Sequence, residues 1–76
     1  MKTKYKYIEF VVFAESSDKK YEVWECKNKK KIDLGFCSYN YPWKEWEFCP
    51  ENGMAFTIEC LNDIAHFINQ LNMEQK

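Results

Sequence analysis

The sequence predicts an α+β domain: a four-stranded antiparallel β-meander with one C-terminal amphipathic helix packed on one face. Four stretches rich in β-branched and aromatic residues, at about 5–14, 21–26, 32–39 and 43–49, are separated by short polar turns. A last stretch, at about 58–72, repeats apolar residues at three- and four-residue steps. Short connections in the order strand-strand-strand-strand-helix favour sequence neighbours as spatial neighbours. The 76 residues are expected to form a single domain, 1–76, near the lower size limit for a self-sufficient core.

The first stretch is apolar on both faces, with Ile8, Phe10 and Val12 on one and Tyr5, Tyr7, Val11 and Phe13 on the other. That pattern predicts a central strand covered on both sides. A polar turn follows at 15–20. The second stretch alternates Tyr21 and Val23 against Trp24 and Cys26, and residues 27–31 read as the next turn. The third stretch sets Ile32, Leu34 and Phe36 against Asp33, Gly35, Cys37 and Tyr39, and Gly35 suggests a bulge or a close approach. A turn at Asn40-Tyr41-Pro42 leads to the fourth, where Trp46 and Phe48 oppose Trp43, Glu45, Glu47 and Cys49. Thr57 is placed to cap the helix, and Glu59 suits the positive end of its dipole. Ile58, Leu61, Ile64, Ala65, Ile68 and Leu71, with Phe67, form the stripe expected to meet the sheet.

Fourteen residues are Phe, Tyr or Trp, a large supply of ring area for so short a chain. Net charge is −1, which exerts no general pull toward nucleic acid or membrane. The charge is uneven: residues 1–38 hold nine lysines and six acids, residues 39–76 two lysines and six acids. No arginine is present, which argues against base-specific nucleic-acid readout. No apolar run approaches the ~18 residues of a membrane span, and the first residues lack the pattern of a signal peptide. The expectation is a cytoplasmic protein with no membrane association and with reduced cysteines.

The helix is expected to sit on Ile32, Leu34, Phe36, Trp46 and Phe48. One helix covers one face, so the other face is left to Tyr21, Val23, Tyr39 and Trp43 with some of Tyr5, Tyr7, Val11 and Phe13. An uncovered aromatic face predicts a partner. The expected function is therefore a small non-enzymatic binding module that docks a protein partner or a second copy of itself. Tyr5, Tyr7, Tyr21, Tyr39 and Trp43 are the expected anchors, since Tyr and Trp dominate such contacts.

The run Leu34-Gly35, then Trp43, Phe48, Pro50 and Phe56, then Cys60-Leu61-x-Asp63-Ile64-x-x-Phe67-Ile68-x-x-Leu71, resembles a group of short uncharacterised proteins of bacteria and phages. The likeness covers roughly residues 32–72. Lys44 stands where the group often has arginine. The resemblance implies one compact domain of phage or mobile-element origin, and no activity comes with it.

Two alternatives follow from other residues. Lys27, Lys29, Lys30 and Lys31 beside exposed rings resemble a surface for single-stranded nucleic acid, where bases stack on aromatics. His66, with Asp63 three positions before it, would be the centre of a small enzyme, although no convergent acid, base and oxyanion donor can be named. Cys26, Cys37, Cys49 and Cys60 lie eleven or twelve positions apart, without the close pairs of a zinc site. No metal and no cofactor is expected.

Overall fold

A computed structural model describes residues 1–13 and 21–74. Strands β1 (Ile8–Val12), β2 (Trp24–Asn28), β3 (Asp33–Asn40) and β4 (Glu45–Pro50) precede helix α1 (Ile58–Glu74). The strands form one antiparallel sheet in chain order, β1-β2-β3-β4, with the helix against one face, as the sequence predicts. Ala14 and the turn expected at 15–20, with Lys19 and Lys20, lie outside the described residues. Among the described residues no helix is long and apolar enough to cross a membrane.

The first strand departs from expectation. It starts at Ile8, because the chain doubles back before it: the Tyr5 N–H donates to the Ile8 carbonyl at 2.9 Å and the Phe10 N–H to the Thr3 carbonyl at 2.8 Å. Lys4 bridges Glu9 in the same antiparallel sense. β1 is therefore an edge strand and not a central one, and residues 3–4 occupy part of its outer edge. Strand β2 starts at Trp24 and runs through Lys27 and Asn28, which the sequence placed in a turn.

The faces are set by register. Phe10 stands opposite Cys26, which stands opposite Gly35; Trp24 stands opposite Cys37, and Tyr39 opposite Trp46. Directly opposed residues share a face. Cys37 and Tyr39 therefore lie on the helix side with Trp46 and Phe48, while Phe36, opposite Glu25 and Cys49, lies on the other. This inverts the expected facing of β3. A bulge contributes: Cys26 meets Gly35 and Lys27 meets Asp33, so Leu34 is the extra residue, and it packs against the core.

The core consists of Tyr5, Ile8, Phe10, Cys26, Cys37, Trp46, Ile64, Phe67 and Leu71. Its centre is Phe67, which stacks on Phe10 with ring centroids 4.0 Å apart and takes the edge of Trp24 at 5.3 Å. The Thr57 hydroxyl accepts the Cys60 N–H at 3.2 Å and caps the helix as expected. The buried stripe is narrower than expected: Ile64, Phe67 and Leu71 are buried, whereas Ile58 and Leu61 are 73% and 45% exposed. Asn72 fixes the far end of the helix, its side-chain oxygen accepting the Trp46 N–H at 2.9 Å from the edge of β4.

The opposite face of the sheet is mixed, with charged residues beside a few apolar ones, and carries none of the tyrosines or tryptophans of the strands. Glu9, Lys27 and Asp33 form one row across it; Val11, Glu25, Phe36 and Cys49 form the next. Phe13 packs edge-on to Phe36 at 5.8 Å.

Candidate functional site: the aromatic turn

Residues 41–44 join β3 to β4, and the bonding capacity of Asn40 shapes them. Its side-chain oxygen accepts the Trp43 N–H at 3.0 Å, and its backbone carbonyl accepts the Lys44 N–H at 2.7 Å. Its amide nitrogen donates to Glu47 Oε1 at 2.8 Å, which ties the turn to β4. Lys44 closes the turn in the left-handed region, at φ 58°. The consequence is that Trp43 lies in the turn, not in the strand expected at 43–49. Its ring is 73% exposed, the most exposed aromatic side chain among the described residues.

Behind the turn stands a pack of rings. Tyr21 stacks on Tyr39 at 4.0 Å with planes 18° apart, and both set their edges or faces against Trp46 at 5.9 and 5.8 Å. Tyr41, 50% exposed, leans edge-on against Tyr39 at 5.0 Å and Tyr21 at 5.7 Å. Burial pushes the Tyr39 hydroxyl up from its ordinary pKa, with Tyr21 adding to the effect, so it stays a neutral group at physiological pH. Trp46 is buried in the core, so the projecting turn rests on a fixed base.

The five expected anchors divide accordingly. Tyr21, Tyr39 and Trp43 meet at one end of the sheet. They do so on the helix side and in the turn, which corrects the open-face placement of Tyr21 and Tyr39. Tyr5 is buried: its hydroxyl lies 2.8 Å from His66 Nδ1, Gln70 Nε2 donates to it at 3.4 Å, and its ring packs edge-on to Phe10. Tyr5 thus pins the N-terminal segment to the helix. Tyr7 is exposed under the Lys6 ammonium, next to the start of β1 and so at the far end of the sheet from Trp43. Tyr41 belongs to the group and was not singled out from the sequence, where it reads only as the residue before a turn proline.

The lysines of the second turn are largely committed. Lys27 pairs with Asp33 at 2.6 Å and Glu25 at 3.3 Å, and Lys31 with Glu9 at 2.5 Å. Lys29 and Lys30 remain on the exposed tip. That tip follows Asn28, at the opposite end of the strands from the aromatic turn, so lysines and rings do not form one surface. His66 is exposed and bonded to Tyr5, and no cavity opens among the described residues. No group of three or more His, Cys, Asp or Glu side chains among them is arranged to hold a metal. Cys26 and Cys37 are fully buried on the helix face, and burial pushes the Cys26 thiol up to about 12.

The Glu9–Lys31 pair gives a pH prediction. The Lys31 hydrogen bond, with Lys29 and Lys4 nearby, holds the Glu9 carboxyl below its ordinary pKa. A depressed carboxylate stabilises the fold fully above its unfolded pKa, and that contribution is lost as pH falls through the folded value. Melting curves should therefore lose stability below about pH 4–5. The Glu9→Gln variant should be less stable than wild type at neutral pH and show a flatter acid limb; an acid limb unchanged in the variant would show that Glu9 does not contribute.

No family model and no solved structure matches the chain. The chain is similar to an uncharacterised 9.3 kDa protein of Acholeplasma phage L2, with 29% identity over 70 residues, 92% of this chain and 90% of that protein. The likeness thus extends over nearly the whole of both chains and includes the strands as well as the helix.

Proposed function

We propose that the chain is a non-enzymatic binding module that docks a protein through the aromatic turn, with Trp43 as anchor and Tyr41 beside it. The observation that carries this reading is the 73% exposure of an indole held outward by a bonded turn. The ring adds little to folding where it stands, and covering it with a partner returns about 3 kcal/mol. Preformed backbone lowers the ordering cost of binding. The likeness to a phage protein supports an accessory role in which the partner is a host protein. Four unpaired cysteines support action in a reducing compartment, the cytoplasm.

Lys44 supplies the test, because it follows the anchor directly in the turn. Wild-type chain treated with an amine-reactive crosslinker in the source cell should yield crosslinks from Lys44 to one protein, identified by mass spectrometry. The Trp43→Ala variant should lose them, with affinity for that protein falling about 30-fold or more and folding stability within about 0.5 kcal/mol of wild type. Crosslinks from Lys44 to a second copy of the chain would make the partner the chain itself. Undiminished crosslinking in Trp43→Ala, or crosslinks to nucleic acid-bound proteins only through Lys29 and Lys30, would overturn the proposal.

A further inference from the structure

The chain's own groups occupy both outer edges of the sheet. On β1 the outward Phe10 N–H donates to the Thr3 carbonyl, and the outward Ile8 carbonyl accepts the Tyr5 N–H. On β4 the alternation of an antiparallel ladder turns Trp46, Phe48 and Pro50 outward, because the Trp46 N–H leaves the sheet for Asn72 while the Glu51 N–H points inward to Leu34. Asn72 Oδ1 takes the Trp46 N–H at 2.9 Å, and Pro50 has no N–H to offer. Of the three, only Phe48 keeps a donor directed away from the sheet. An open strand edge is a template for a further strand, and the strand always at hand is β4 of a second copy. Set antiparallel about a two-fold axis, with Trp46 opposite Phe48 of the copy, the two edges use the same donors and carbonyls on both sides. Asn72 withholds the Trp46 donor from both. The same register sets Glu47 against Glu47 of the copy, where like charges repel. We infer that Asn72 is a plug on the β4 edge, and that its loss lets two copies join their sheets through β4.

Sedimentation of the full chain and residue-resolved backbone hydrogen exchange test this. In wild type the Trp46 amide should exchange slowly and the Phe48 amide at least about tenfold faster, at every concentration. Asn72→Ala should gain mass over wild type as concentration rises, and its Phe48 amide should slow about tenfold or more as it does so. The association should tighten when salt screens the carboxylates, or when Glu47→Gln is added. Asn72→Asp, whose carboxylate still accepts the Trp46 N–H, should sediment as wild type does. Adding Trp43→Ala to Asn72→Ala should leave the association unchanged, which separates the β4 edge from the aromatic turn. An Asn72→Ala chain that melts cooperatively yet sediments as wild type up to about 1 mM would overturn the inference. A gain of mass with no slowing at Phe48 would do the same, because the copies would then meet elsewhere. A slow Phe48 amide in wild type would also overturn it, and that measurement stands even where Asn72→Ala fails to fold.

Discussion

Replacing Phe67 with alanine is expected to cost about 3–5 kcal/mol, the range for a fully buried aromatic ring. A domain of 76 residues holds only about 4–11 kcal/mol of net stability, so the variant should lose a large share of it and melt far below wild type. The reason is position. Phe67 is fully buried, lies face to face with Phe10 at 4.0 Å and receives the edge of Trp24, so its removal empties a place where β1, β2 and the helix meet. Thermal or urea unfolding measures the loss. Leu61→Ala is the companion, since Leu61 belongs to the same sequence stripe but is 45% exposed. It should cost less than about 1 kcal/mol. If the two variants melt together, the helix is not rolled as described.

The second large effect is expected at Gly35. A Cβ there would stand 2.6 Å from the Cys49 backbone oxygen and 2.6 Å from Phe48 Cζ. Neither neighbour moves freely: Cys49 is part of the β3–β4 pairing, and the Phe48 ring is packed edge-on by Phe56 at 5.5 Å. Gly35→Ala should therefore destabilise by about 2–3 kcal/mol through overpacking. Gly35→Ala combined with Phe48→Leu should recover part of this loss relative to the sum of the single changes, because the smaller side chain relieves one of the two contacts. A Gly35→Ala variant that melts like wild type would mean the strand accommodates the methyl group by moving.

Gly35 also explains why the faces of β3 were hard to read. By residue type, Ile32, Leu34 and Phe36 look like the buried side, and Gly35, Cys37 and Tyr39 like the exposed one. The structure keeps Leu34 against the core at the bulge but inverts the rest, because large rings come from the neighbours: Phe48 covers Gly35, and Trp24 lies opposite Cys37. A strand pressed between such rings needs small residues inward. Alternation alone has no access to what the adjacent strand contributes. The helix, its cap and the antiparallel four-stranded class were legible, since each depends on local pattern or on short connections. Ile58 and Leu61 fit the helical period yet stay exposed because the sheet's inner face is narrower than the stripe. At the aromatic turn, Trp43 was visible as a candidate from its type, but its exposure depends on Asn40 bonding two residues of the turn. The early end of the N-terminal extended run was hidden for a related reason: Thr3 and Tyr5 bond backward onto β1, a pairing no propensity encodes.

The order of elements along the chain matters during synthesis. The four strands pair only with sequence neighbours, so the sheet can zip progressively as it leaves the ribosome, and the β2–β3 and β3–β4 hairpins each close over four residues. The helix follows all of them, and until it emerges the sheet leaves Phe10, Trp24 and Trp46 open to water with nothing over them. The nascent meander is thus a transiently sticky intermediate whose safety depends on its final seventeen-residue helix docking quickly. A chain cut before Ile58 would remain in that state.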